Sequence, residues 1–380
     1  MLWLCLASIG FILYTYAGFP LLLHIRARGK QLPTTLEQPP EDSLPAVSIV
    51  IAAHNERDGI PAKLASLEEL DYPESKIEWI VVSDGSTDGT DTYLQERFEG
   101  HANRTVLHLE DALGKCGALN EGVALASGEI ILFMDARQVI STNAAMALVP
   151  YLADESIGAV TGELVLSEDC SLEASNFGLY WRYEKWIRDN ESRLFSTTGV
   201  TGALYAIRRK DFIPNAIGTV LDDFDTPISL LKQGKRTLYV PGAYAFDKAN
   251  DDIALEFRRK VRTLWGNWQS YSKHAWLFSP GKNPVWWQFL SHKVFRLLVP
   301  YAMILTLISS AVGALFGNSI LQFILFAQVA FYALAAASFA GLPGTRNKVL
   351  NVLNVFLQLN AAALVATLKY FFVSQAIRWR

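Results

Sequence analysis

Five groups of residues in this 380-residue chain have types and spacing suited to chemistry. Ser83-Asp84-Gly85-Ser86-Thr87-Asp88 is a run of carboxylates and hydroxyls closing an apolar stretch. Gly114-Lys115 opens a helical stretch, so a cation stands where helix N–H groups already favour an anion, although an ordinary solvated lysine would look the same. Met134-Asp135-Ala136-Arg137 sets a carboxylate two residues before a guanidinium, a group shaped for bidentate pairing with phosphate oxygens. Leu221-Asp222-Asp223-Phe224-Asp225 packs three carboxylates into four positions. Their repulsion favours proton affinity at one of them, the property of a general base. Acids also gather at helix starts because the dipole favours them, so the cluster alone leaves both readings open. Arg258-Arg259-Lys260-Val261-Arg262 is a cationic cluster able to stabilise negative charge.

These groups need a scaffold, and the pattern supplies one. Apolar runs at 47–53, 77–83, 106–109 and 130–134 read as strands, and 61–70, 90–98 and 116–126 read as helices between them. Strands alternating with helices indicate an α/β domain with a mostly parallel sheet, whose ligands bind at the carboxyl ends of the strands. The polar groups at 54–56, 84–88 and 135–137 fall at those ends. A dinucleotide fold would need glycines after the first strand, and Ala52-Ala53-His54-Asn55-Glu56 has none.

The rest of the chain is organised for a membrane. Hydrophobic residues make up 51%, which excludes a disordered chain. The net charge of −3 conceals an asymmetry: all 37 acids precede residue 257, and 13 of the 34 basic residues follow it. Residues 1–25 carry no Lys, Arg, Asp or Glu, and about 20 apolar residues suffice to cross a bilayer. A signal peptide would need a basic start and a small-residue cleavage site, and this run has neither. Arg26, Arg28 and Lys30 mark its end as the cytoplasmic flank. Between Arg296 and Arg346 lie 49 uncharged residues, two spans split near Gly317-Asn318, and 349–368 makes one more. Arg346 and Lys348 then face the cytoplasm, whereas Arg378 and Arg380 fall on the opposite side, against the rule. The expectation is therefore about four spans, within limits of three and five. Aromatics and cations mixed over 274–295 suit an interfacial helix. The expected order is a span at 1–25, a linker at 26–45 that is Pro-rich over 33–45, a cytoplasmic domain at 46–272, an interfacial segment at 273–295 and further spans at 296–380. Cys5, Cys116 and Cys170 are too scattered for a disulfide framework.

Over roughly residues 45–300 the chain resembles the membrane-bound family 2 glycosyltransferases, the group of cellulose, chitin and hyaluronan synthases. Residues 47–56 resemble the family's opening strand, Asp84 matches the aspartate at the nucleotide base, and residues 114–120 resemble the Lys-containing loop near the donor phosphates. Asp135 matches the first acid of Asp-x-Asp, and Arg137 replaces the second. Residues 198–209 resemble the acceptor-side strand, and Asp223 matches the base of the Thr-Glu-Asp motif. Arg262 matches the arginine of Gln-x-x-Arg-Trp, Arg259 replaces its glutamine, and Thr263 replaces its tryptophan, a role open to Trp265 or Trp268. The resemblance implies a GT-A-like nucleotide-sugar-binding domain with a mostly parallel sheet, plus transmembrane helices. It implies an inverting hexosyltransferase of the cell membrane whose partners are a nucleoside-diphosphate sugar, a glycan or lipid-linked glycan acceptor and membrane lipids. No nucleic acid belongs to that set, and an export partner is left unspecified. Donor contacts fall on Ala53, Asn55, Glu56, Asp84, Lys115, Asp135, Arg137, Arg259 and Arg262. Acceptor contacts fall on Thr201, Gly202, Asp222, Trp265 and Trp268, with Asp223 as the base. A divalent cation, Mg²⁺ or Mn²⁺, is implied on Asp135, with direct pairing of Arg137 to phosphate as the alternative. A processive synthase and a transporter carrying a degenerate domain are the rival functions.

Overall fold

Four apolar runs form the parallel core of the sheet: β1 (Val47–Ala53), β2 (Ile77–Asp84), β3 (Arg104–Leu109) and β4 (Ile130–Asp135). The structure, a computed structural model, describes residues 1–33, 40–166, 172–247, 253–339 and 348–373. β1 pairs with β2 on one side and β4 on the other, all parallel, with Ala52 opposite both Val82 and Asp135. The carboxyl ends of three strands therefore come together at one edge. β1, β2 and β4 are almost continuously apolar because both faces are covered, whereas β3 lies at the sheet edge and is only partly buried. Ile49, Ile51, Trp79 and Val81 enter one core cluster, and Val50, Ala52, Ile80 and Val82 enter the other.

Helices Ile60–Glu68, Thr90–Phe98 and Lys115–Leu125 stand within two residues of their expected bounds. The last packs closely enough on the sheet that a Cβ on Gly122 would lie 2.5 Å from Val50 Cγ1. Four strands extend the sheet: β5 (Val139–Ile140), β6 (Ile157–Leu166), β7 (Tyr205–Arg208) and β8 (Arg236–Asp247). The order is β3-β2-β1-β4-β7-β6-β8-β5, with β7 antiparallel to β4 and β6. Of the 198–209 segment only Tyr205–Arg208 is strand. Residues 198–204 are loop, which leaves their backbone available at the site.

The described residues divide into a sheet unit (within 29–167 and 188–248) and a helical unit (within 1–28, 168–187 and 249–375). The expected 46–272 block thus divides differently. Helix Ile253–Lys273 belongs with the helical unit because its aromatic face packs there: Trp268 donates to Thr367 Oγ1 at 2.9 Å, and Trp265 meets the Tyr370 ring at 5.5 Å. Among the described residues, four helices are long and apolar enough to cross a membrane: Leu2–Ala27, Trp286–Leu315, Ser319–Phe339 and Val352–Phe372. The segment expected to be interfacial is not one helix. Ala275–Phe278 is a single tight turn, and the Trp286–Leu315 helix already covers 286–295. Glu184 is buried in this unit between His292, at 3.1 Å, and Arg296. Arg346, Arg378 and Arg380 lie outside the described residues.

Candidate active site

Helix Lys115–Leu125 begins where a loop meets the end of β2, and a carboxylate fastens that start. Asp84, fully buried at the end of β2, accepts from Leu113 N at 2.7 Å and Gly114 N at 2.9 Å. The aspartate matched to base recognition thus also holds the loop that delivers Lys115. The end of β1 is tied to the same place. His54 Nδ1 donates to the Asp84 carbonyl at 2.6 Å, Asn55 N to Ser86 Oγ at 3.1 Å and Glu56 N to Thr90 Oγ1 at 3.1 Å. Asn55 has φ +55°, a left-handed conformation that asparagine tolerates, and its side-chain oxygen accepts from Thr87 N at 2.8 Å. Ala53, the last residue of β1, is fully buried beside this crossing.

Lys115 joins the end of β4 to the start of helix Asp222–Lys232 within the sheet unit. Its Nζ lies 2.8 Å from Asp135 Oδ1 and 3.1 Å from Asp222 Oδ2. A Cβ on Gly202 would lie 3.2 Å from Lys115 Nζ, 3.7 Å from Asp223 Cβ and 3.9 Å from Asp135 Oδ1. Glycine here keeps the space above the three charged groups open. Val200 N donates to the Asp223 carbonyl at 2.9 Å, and Thr201 N to Thr161 Oγ1 at 2.8 Å, so the 198–204 loop is fixed to the start of helix Asp222–Lys232 and to β6. Burial raises the proton affinity of Asp135, but Lys115, with Arg137 and Lys63, more than offsets this and holds its carboxyl below the usual range. Burial lowers that of Lys115, yet Asp135, Asp222 and Asp223 together raise it well above normal. Lys115 and Asp135 therefore both stay charged across neutral pH.

Arg137 leaves β4 beside this cluster and pairs through Nη2 with Asp247 Oδ2 at 3.2 Å. Sequence reasoning missed three contributors. Lys63 is fully buried and donates to the Gln138 carbonyl at 3.0 Å. Asp247 accepts from Arg137 and Gln138. Arg188 donates to Thr201 Oγ1 at 2.8 Å. Lys63 did carry a signal, since Ile60, Lys63, Leu64 and Leu67 share one helical face and all are buried. Arg259, Arg262, Trp265 and Trp268 lie on helix Ile253–Lys273 of the helical unit, where Arg259 Nη1 stands 3.9 Å from Glu256 Oε2.

For a divalent cation the sheet unit offers Asp135, whose Oδ1 already meets Lys115. Among the described residues no three His, Cys, Asp or Glu side chains come together as a metal cage. One carboxylate suits a Mg²⁺ or Mn²⁺ that arrives with donor phosphates and keeps its waters, rather than a resident ion.

Comparison with known proteins bears on the family and the fold. A poly-beta-1,6-N-acetyl-D-glucosamine synthase of Staphylococcus epidermidis is 34% identical over 213 residues, covering 56% of this chain and 45% of its own. A beta-monoglucosyldiacylglycerol synthase of Nostoc sp. is 36% identical over 148 residues, covering 38% and 31%. The chain spans about half the length of the curated relatives it matches, such as an N-acetylglucosaminyltransferase of Rhizobium meliloti at 55%. A mannosyltransferase of Pyrobaculum calidifontis, solved with GDP-Man and Mn²⁺, superposes with a TM-score of 0.73 at 23% identity, over 98% of this chain and 100% of that one. At that identity the likeness is one of fold, a GT-A-like sheet with helices. The family profile described as glycosyl transferase family 2 matches residues 48–214, from β1 through β7, and ends before Asp222. Residues 48–214 of this chain are a glycosyl transferase family 2 domain.

Proposed function

We propose that the chain transfers a hexosyl group from a nucleoside-diphosphate sugar to a hydroxyl of a polysaccharide or lipid-linked glycan, inverting the anomeric centre. The observation that supports this most is Lys115, which links Asp135 to Asp222 with Gly202 and Asp223 alongside. That arrangement sets a phosphate-binding cation next to a carboxylate on the acceptor side. The donor lies at the ends of β1, β2 and β4, bounded by Ala53, Asn55, Glu56 and the Asp84-fastened loop. Lys115 and Arg137 face its diphosphate. By the sequence motif alone, Arg259 and Arg262 add positive charge, and Trp265 and Trp268 serve the acceptor.

The chemistry balances simply. The acceptor hydroxyl, oriented by Thr201, Gly202 and Asp222, gives its proton to the Asp223 carboxylate as its oxygen bonds to the anomeric carbon. The bond from that carbon to the diphosphate breaks, and the nucleoside diphosphate leaves with the electron pair. A divalent cation, when bound with the donor at Asp135, would neutralise leaving-group charge. Arg26, Arg28 and Lys30 after the first apolar helix support a catalytic domain on the cytoplasmic face of the cell membrane.

Asp223→Asn is the direct test. Removing a general base costs about 10²–10⁴ in rate. Transfer should fall by that factor while nucleoside-diphosphate binding is kept, and full activity in the variant would remove Asp223 from the role. Product sizing with one donor sugar separates a single addition from a processive ladder.

A further inference from the structure

Arg137 is positioned with more care than an exposed ion pair needs. Its Nη2 meets Asp247 Oδ2 at 3.2 Å, and the same oxygen accepts from Gln138 Nε2 at 2.9 Å. Asp247 ends β8, which β7 and β6 separate from β4, so the carboxylate arrives from a distant part of the sheet. The Asp247 side chain is 17% exposed and that of Arg137 41%, so the carboxylate is the anchored partner and the guanidinium the presented one. From beneath, Lys63 pins the same turn through the Gln138 carbonyl at 3.0 Å. At its base, a Cβ on Gly59 would lie 3.4 Å from both Arg137 Cβ and Glu56 Oε2, so the arginine stem runs along the β1 end. Exposed ion pairs contribute little to stability, which leaves geometry as the reason for these contacts.

We propose that Asp247 is a positioning residue which, with Gln138 and Lys63, holds Arg137 as a fixed diphosphate-binding cation, so that the chain binds a nucleoside diphosphate without a divalent cation. This rests on reading the β1, β2 and β4 ends as the donor site. One donor of the planar fork holds Asp247, and the others can take two phosphate oxygens at once. Lys115, on Asp135, supplies a second positive charge. A cation arriving at Asp135 with the donor adds to this hold and is not its precondition.

The test is calorimetric titration of UDP and GDP into the full chain in detergent, once in excess EDTA and once in Mn²⁺. The tighter-binding nucleotide should show affinities within about threefold in the two conditions, because the arginine fork makes the charge-assisted contacts in both. Asp247→Ala and Asp247→Asn should each weaken binding in EDTA by about tenfold or more, the loss expected when one hydrogen bond to a charged group goes. Arg137→Ala combined with Asp247→Ala should cost no more than Arg137→Ala alone, a coupling that a merely structural carboxylate would not produce. Arg137→Asp should bind in Mn²⁺ and lose binding in EDTA. Binding by the unmodified chain only in Mn²⁺ would overturn this inference and leave the donor site standing. Undiminished affinity in both folded Asp247 variants would overturn the positioning role. Absence of binding to either nucleotide in both conditions would overturn the donor-site reading itself.

Discussion

Replacing Lys115 with methionine keeps the aliphatic stem and removes the cation that Asp135 and Asp222 share. Asp222 is only 5% exposed at its side chain and lies 3.1 Å from Lys115 Nζ, while Asp135 is 33% exposed at 2.8 Å. Breaking a buried ion pair by deleting one partner costs about 3–5 kcal/mol, because a charge is left buried without compensation. Asp135 is one-third solvated and contributes less, which puts the expected cost near the lower value, about 3 kcal/mol. A domain of 150–250 residues shifts by about 2–4 °C per kcal/mol, so Tm should fall by roughly 6–12 °C at pH 7. The pH dependence has a definite sign. The Asp135 carboxyl is held below its ordinary range, so its contribution is present above pH 3.8, the unshifted value, and is lost as pH falls through the lower folded value. The gap between Lys115→Met and the unmodified chain should therefore be largest near neutrality and should shrink below about pH 4. Adding Asp222→Asn should restore part of the lost stability by removing the uncompensated buried charge. The assay is thermal unfolding in detergent across pH, with nucleoside-diphosphate titration beside it. A Tm change under about 2 °C at pH 7, with unchanged nucleotide affinity, would refute the bridge.

Other perturbations read different parts of the site. Asp84→Ala removes the acceptor of two backbone donors, each worth about 1.5–3 kcal/mol to a charged partner; hydrogen exchange at Leu113 and Gly114 should accelerate, and nucleotide affinity should fall at least about tenfold. Unchanged exchange at those amides would exclude the fastening role. Lys63→Met should alter how stability varies with pH. Burial lowers the Lys63 ammonium from 10.5 to about 7, with Asp135 opposing the shift. Between pH 7 and 10.5 the unfolded chain holds a proton the folded chain lacks, so stability rises with pH there by up to about 1.4 kcal/mol per unit. The variant should lose that slope and be the more stable form below pH 7, and an unchanged slope would show that Lys63 does not titrate in this window.

The sheet and the long apolar helices were legible in the sequence because uninterrupted apolar runs are a local feature of the chain. β1, β2 and β4 and three helices fall within two residues of their expected positions. β6 and β8 were missed because they interleave polar residues and pair with chain far away in sequence. The candidate site residues Asp84, Lys115, Asp135 and Asp223 were legible as types, since they stand at strand ends or helix starts. Their partners were not. Lys115 meets Asp135 and Asp222 through sheet register and helix packing, which bring together residues 20 and 107 positions apart. Spacing along a chain predicts neighbours only within a turn or a pleat. The same limit hid Asp247 behind Arg137, and it hid the packing of Trp265 and Trp268 on Thr367 and Tyr370. The sequence by itself determined which residues could carry charge, cross a bilayer or line a strand. Only the tertiary structure decided which charges meet, because a salt bridge requires side-chain atoms within about 4 Å, and long-range packing alone sets that distance.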